Sequence, residues 1–310
     1  MSARGVWAVI TAFRPHPALV EEVASINSQV DGVVVVDDGS GPSSEAVATV
    51  IAQHGATVIR LATNSGIAVA LNVGIRAAID AGASAVVTFD QDSHIEAGFV
   101  DSLVRARDAA LAAGVPVGPV VPEHFADVRQ AHGAVRDGTL FARRIIQSGM
   151  LLDRSTIEEI GEMWEPLFID LVDTEYELRC LNHGLTPIAA PGLRLAHSLG
   201  ARFRRRGSLP LPAVPRVMTL SSPFRYYYRA RNRVLIAKRH GRRHPARLLI
   251  DTATDAVYFA VVCALARPRS AMWRILLAGA RAGARGVGDR IPPSVEALAS
   301  TVEWAADRIE

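Results

Sequence analysis

The first 120 residues alternate short β-branched runs with amphipathic stretches, and this rhythm restricts the fold more than any other feature of the chain. Residues 6–13, 32–36, 56–61, 85–89 and 115–121 read as strands. Residues 17–29, a stretch running through His54, 66–81 and 96–113 read as helices between them. Strands that alternate with helices form βαβ units, with a mostly parallel sheet and right-handed crossovers. After Pro122 the rhythm changes. A strand is expected at 144–152, a short capped helix at 155–161, a helix at 173–183 and a Pro-rich surface loop at 207–215. Helices are expected at 223–240, 245–266, 270–285 and 292–308. The reading divides the chain into an α/β domain, 1–205, and a basic, mostly helical region, 206–310.

Hydrophobic residues make up 49% of the chain, enough for a sizeable core, so wholesale disorder is not expected. The two cysteines, Cys180 and Cys263, lack metal-site spacing and fit a reducing cytoplasm. Residues 6–13 are apolar but too short for a signal sequence, and no charge-free run reaches the roughly 18 residues of a membrane span. A soluble or peripheral protein is expected. The net charge of +3 conceals an asymmetry. From Leu178 to Ile250 there are 16 Lys and Arg and no acid, leaving 18 basic residues elsewhere against all 31 acids. Such a block suggests an anionic partner: phosphate, nucleic acid or an anionic membrane surface.

The chemistry collects where strands end. Val86–Asp92 closes on Asp90 and Asp92, and side chains at i and i+2 of an extended segment point to the same side. Two carboxylates so placed can converge on one hard cation, Mg²⁺ or Mn²⁺, at the strand edge where open α/β sheets bind ligands. The Asp37-Asp38-Gly39-Ser40 cluster can accept hydrogen bonds from a base or ribose, or can simply form a turn and cap. Asn64-Ser65-Gly66 opens a helix whose free N–H groups could face phosphate or ribose. Residues 168–177 hold Asp170, Asp173, Glu175 and Glu177 near a helix start, where acids suit the dipole and one could act as a general base. His197 follows a mainly apolar stretch and is either structural or a third metal ligand. Arg225, Arg229 and Arg233 recur at i, i+4 and i+8 as one basic helical face, either solvated or binding phosphates or lipid headgroups. No recognised nucleic-acid motif accompanies it. Arg267, Arg274, Arg281 and Arg285 opposite Trp273, Leu276, Leu277 and Ala280 suggest an interfacial amphipathic helix, or one packed on the catalytic domain.

The order Asp-Asp-Gly-Ser (37–40), Asn-Ser-Gly-Ile-Ala with Leu-Asn-Val-Gly-Ile (64–75) and Phe-Asp-Gln-Asp-Ser (89–93) resembles the family 2 glycosyltransferases of GT-A fold. Residues 168–179, His197-Ser-Leu-Gly and residues 225–232 resemble the bacterial rhamnosyltransferase branch. The resemblance implies a Rossmann-like, mostly parallel sheet flanked by helices, with a helical C-terminal region. It implies inverting transfer of a sugar, L-rhamnose from dTDP-L-rhamnose, to a hydroxyl of a polyprenyl-linked or cell-surface glycan. Asp90 and Asp92 match the family's DXD motif, with His197 as its later metal ligand. Asp173 matches the base, with Asp170 or Glu175 able to share that role because Val172 replaces the first acid of the usual pair. Thr11, Phe13, Asp38, Asn64 and Gln91 match donor contacts, and Arg229 lies on a face that could clamp the diphosphate. A cytoplasmic enzyme is implied, peripheral on the plasma membrane or oligomeric, with no nucleic-acid partner.

Other readings remain at this point. A UDP-sugar such as UDP-galactofuranose is an alternative donor, and a catalytically inactive nucleotide- or membrane-binding module is an alternative function. A sugar-1-phosphate nucleotidyltransferase would want a Gly-rich loop where Thr11-Ala12-Phe13-Arg14-Pro15 stands. The Gln-x-x-Arg-Trp mark of processive members is absent, which favours single addition.

Overall fold

A computed structural model describes residues 5–135, 137–197, 201–205, 216–288 and 290–309. The chain forms two compact units, Met1–Glu165 with Val172–His197, and Pro166–Leu171 with Ser198–Glu310. The expected loop at 207–215 and the Ser-Leu-Gly that follows His197 lie outside the described residues.

The first unit follows the expected alternation: β1 (Val6–Ala12), α1 (Leu19–Asn27), β2 (Gly32–Asp37), α2 (Glu45–Gln53), β3 (Thr57–Arg60), α3 (Ile67–Asp80), β4 (Ala85–Asp90), α4 (Phe99–Ala112) and β5 (Val117–Phe125). It continues with β6 (Val128–Arg129), β7 (Leu140–Phe141), β8 (Met150–Asp153), α5 (Arg154–Ile160), α6 (Val172–Asn182) and β9 (Thr186–Leu195). The result is the expected α/β fold around a large, mostly parallel sheet, in the order β3-β2-β1-β4-β8-β5-β9-β7, with β6 on β5. β1 pairs in parallel with β2 and β4, and β5 with β9. Central strands such as β1 and β4 are nearly all buried, the continuous apolar pattern of strands covered on both faces.

Two features depart from the expected pattern. The strand expected at 144–152 is confined to Met150–Asp153, and it runs antiparallel between β4 and β5. The strand β9 was not expected; the apolar residues 187–190 and Leu195 join the sheet beside β5.

In the second unit β10 (Ala201–Arg205) pairs with β11 (Val217–Leu220). Helices α7 (Arg225–His240), α8 (Pro245–Leu265), α9 (Arg269–Arg285) and α10 (Pro293–Ser300) follow, with β12 (Ala266–Arg267) before α9. The helix expected over 292–308 stops at Ser300. Beyond it β13 (Glu303–Trp304) pairs with β12, and β14 (Ala306–Arg308) pairs with β10, because sheet partners far away in sequence override a helix-compatible composition. Helices α7 and α9 approach through glycine: a Cβ on Gly279 would lie 2.3 Å from the Tyr227 carbonyl oxygen, and one on Gly283 2.5 Å from that of Arg231. Neither position has room for a side chain.

Within this unit α7 fixes the short segment 166–171. Phe168, Asp170 and Leu171 all have positive φ, which costs roughly 1–3 kcal/mol at each such residue. The fully buried Asn232 amide nitrogen donates to the carbonyls of Leu167, Ile169 and Asp170 at 2.8–2.9 Å. Arg231 donates to the carbonyls of Pro166 and Leu167, and the Phe168 ring stacks on Tyr228 at 4.9 Å. Asn232→Leu removes one donor group and strands the carbonyls of Ile169 and Asp170, while Leu167 keeps its bond from Arg231. At about 1–3 kcal/mol for each buried unsatisfied group, a loss of at least about 2 kcal/mol is expected, measured as a lower midpoint in urea unfolding.

Candidate active site

Register brings three strand ends together. Thr11 of β1 lies opposite Val36 of β2 on one side and Asp90 of β4 on the other, and Ala12 lies opposite Asp37. The C-terminal edge of the sheet therefore carries Asp37, Asp38, Thr11 and Asp90 side by side. Asp37 is spent on structure, accepting from the Ser40 N–H and from the Ser44 hydroxyl at 2.6 Å. Asp38 accepts from the Ser65 N–H at 2.6 Å and the Gly66 N–H at 2.8 Å. These are donors at the start of α3, left over because no preceding turn exists to take them. Of the two readings of this segment, a plain Asn/Gly turn or free N–H groups facing phosphate or ribose, the N–H groups of Ser65 and Gly66 do not fit the second, since a carboxylate already holds them. Burial pushes the Asp38 carboxyl above its usual range, against the pull of those two N–H groups, and neighbouring Asp37 adds to the rise. Gly39 makes the loop crossing possible. Its φ is +72°, and a Cβ there would meet the Thr63 carbonyl carbon at 2.2 Å. The buried Asn64 Oδ1 has no protein partner. Phe13, just past β1, is partly exposed, and its N–H donates to Gln91 Oε1 at 2.8 Å.

Asp90, Asp92 and His197 come together as the sequence suggested. Each offers a ligand atom, and these atoms lie within 4.8 Å of one another. His197 Nδ1 stands 3.5 Å from Asp92 Oδ1 and is buried without a hydrogen-bond partner, while its ring packs on Phe125 at 4.7 Å. Two carboxylates and one imidazole, with an orphaned ring nitrogen facing them, fit a divalent cation such as Mn²⁺ or Mg²⁺. Sequence reasoning missed the support behind this trio. Gln147 donates its amide to Asp90 Oδ1, the Asp90 N–H donates to Ser148 Oγ at 3.1 Å, and Ser148 bonds Ser93 at 2.6 Å. The available signal was the polar pair Gln147-Ser148 between Ile145-Ile146 and the apolar strand β8.

The acid-rich helix sorts its carboxylates by burial. Glu175 is 0% exposed and paired with Arg179 at 2.9 Å, and Glu177, 1% exposed, accepts from the N–H groups of Arg144 and Ile145. Glu175 is therefore no alternative base, since no acceptor hydroxyl reaches it. Asp170 belongs to the second unit, where Arg225 engages both its oxygens. Asp173 is half-buried in the first turn of α6, with Oδ1 accepting from the Thr174 N–H at 2.6 Å. Asp173, like Asp170, is only partly buried, whereas Glu175 and Glu177 are fully buried.

The basic stripe also needs correction. Arg225 pairs with Asp170, Arg229 with Asp255 at 2.6 Å, and Arg233 with Asp255 at 2.7 Å and Asp251 at 3.7 Å. Arg233 is buried, while Arg225 and Arg229 stay partly exposed but engaged, so Arg229 is committed to a carboxylate of α8 rather than held out for a diphosphate. The acid-free run ends at Ile250, one residue before the first of the two partners.

The family model for glycosyl transferase family 2 matches residues 7–148, which span the strand-end aspartates and the Gln147-Ser148 pair. The dTDP-rhamnosyl transferase RfbF of Shigella flexneri is 31% identical over 251 residues, covering 76% of this chain and 80% of that protein. The chain belongs to glycosyl transferase family 2. It is a glycosyltransferase, and its reaction is the transfer of a sugar from a nucleotide sugar. Among solved structures, TarS of S. aureus is similar with a TM-score of 0.48 and 15% identity, over 76% of this chain but only 39% of that one. Glucosyl-3-phosphoglycerate synthase from Mycobacterium tuberculosis, in complex with Mg²⁺ and uridine diphosphate, gives a TM-score of 0.43 and 19% identity, over 68% and 74% of the two chains.

Gln147 orients Asp90 without being a ligand itself. Gln147→Leu keeps the volume and removes the donor, and loss of such an outer partner lowers metal affinity about 10–100-fold. Titration of the glycosyltransferase with Mn²⁺, followed by the electron paramagnetic resonance of the free ion, is expected to show that loss while the far-ultraviolet dichroism stays unchanged.

Proposed function

We propose that this glycosyltransferase moves L-rhamnose from dTDP-L-rhamnose, with inversion, to a hydroxyl of a polyprenyl-linked or cell-surface glycan on the cytoplasmic side of the membrane. The observation that carries the donor is the 31% identity to a dTDP-rhamnosyl transferase over most of both chains. A UDP-sugar such as UDP-galactofuranose is the alternative donor. The two free cysteines, both buried, are in keeping with a reducing compartment.

Asp90, Asp92 and His197 would hold Mg²⁺ or Mn²⁺, whose positive charge, once bound, offsets the charge that develops on the departing diphosphate. Thr11, Asp38 and Asn64 border the nucleoside end, and Phe13 offers an exposed ring for the base to stack on. Gln91 steadies the backbone of Phe13. Asp173 accepts the proton of the acceptor hydroxyl as its oxygen attacks the anomeric carbon on the face opposite the diphosphate. One displacement of this kind inverts the anomeric configuration.

The test is a panel of sugar nucleotides with Mn²⁺ and a rhamnose-accepting glycolipid. Turnover with dTDP-L-rhamnose and none with UDP-sugars supports the donor, and the reverse pattern overturns it. Asp173→Asn is expected to lower kcat about 10²–10⁴-fold, the usual worth of a general base, with little change in donor KM. Parental turnover by that variant would remove Asp173 from the mechanism.

A further inference from the structure

Helix α8 is built inside out. It is the one helix among the described residues long and apolar enough to cross a membrane by length and composition, yet only 22% of its apolar window is buried. Its buried face carries charge: Arg247, Asp251 and Asp255, with Asp255 paired to Arg229 and Arg233 of α7. Its outer face carries Leu249, Ile250, Ala253, Val257, Ala260 and Ala264, all exposed. They recur every three or four residues, as one stripe of an α-helix does. Leu249 is 72% exposed and Val257 63%. No charged residue interrupts this stripe, which at 1.5 Å per residue runs for more than about 20 Å.

We infer that the outer face of α8 lies on an anionic bilayer surface, parallel to its plane. Charge selects this occupant. Among the described residues from 216 to 288, the acids are Asp251 and Asp255, both buried, so every exposed charge is basic. Exposed arginines bracket the stripe: Arg242 and Arg243 precede α8, and Arg267 and Arg269 follow it, with Arg267 donating to the carbonyls of Ala264 and Ala266. An apolar stripe ending in cations matches acyl chains beneath anionic headgroups. A second copy matches poorly. Two stripes packed in either direction set arginine-rich ends against each other, with no exposed acid of this stretch to separate them. A spanning helix fits no better, since leaving α7 would carry Asp251 and Asp255 into hydrocarbon without their arginines.

For the helix expected at 270–285, which the sequence left as either interfacial or packed on the protein, the interfacial reading does not hold. Met272, Ile275 and Leu276 of α9 are buried in the core of the unit, Arg267 precedes that helix, and only Trp273 and Leu277 of its large apolar residues stand exposed.

The test is flotation of the full chain with vesicles of equimolar phosphatidylglycerol and phosphatidylcholine, beside vesicles of phosphatidylcholine alone. Partitioning onto the anionic vesicles is expected, weakened by raised salt and by omission of phosphatidylglycerol. Leu249→Gln with Val257→Gln changes two exposed positions, so the fold should persist, and binding should fall by at least about tenfold given what each buried apolar side chain is worth. Equal flotation of this variant, or no flotation of the parent, overturns the inference. So does a dimer seen by light scattering that the same variant dissolves while vesicles bind neither protein. Should the variant misfold, salt and lipid-charge dependence of the parent decides alone, and binding indifferent to both counts against the anionic surface.

Discussion

The site depends on one constraint, the register of three parallel strands. With β1 flanked by β2 and β4, Thr11 is pinned between Val36 and Asp90, and the residues just past each strand share one edge. A slip of one residue would turn Asp90 to the opposite face and bury a carboxylate in the apolar layer. The valines of β2 and β4, buried on both sides, oppose any such slip. The side chains at this edge are therefore placed by packing far more than by their own interactions.

The strand-end carboxylates then divide by their neighbours. Asp37 and Asp38 face backbone and hydroxyl donors and hold loops in place. Asp90 faces the amide of Gln147 on one oxygen, and Asp92 beside it is half exposed at the mouth of the cluster. Similar residue types at equivalent ends thus meet different surroundings, loop backbone for one set and the mouth of the cluster with His197 for the other. Burial likewise separates the half-buried Asp173 from Glu175 and Glu177 on a single helix.

Much of this was legible in the sequence, and the reasons for the gaps are physical. Alternating strands and helices up to residue 121 come from local periodicity, and the Asp-x-Asp spacing needs only the geometry of an extended segment. The strand expected at 144–152 came out short and antiparallel because four residues inserted between two other strands carry no periodic trace of their direction. The carboxylate partners of Arg225, Arg229 and Arg233 escaped because spacing shows that cations share a face without showing what that face meets. Residues 303–308 read as helix because their partners, β12 and β10, lie some 40 and 100 residues away in the chain.

The strand order has a consequence for how the chain acquires its structure. β4 and β5 follow one another in sequence but are not neighbours; β8 sits between them. Within the first 90 residues β1, β2, β3 and β4 pair among themselves, with one edge of β4 left for a later strand. The other half of the sheet joins them only after residues 150–153 arrive and seal against both β4 and β5, a closure of high sequence separation and hence a slow one. Until then the edge of β4 stays open. During synthesis the strand that carries Asp90 is thus the last of the three interior strands β1, β2 and β4 to gain both neighbours.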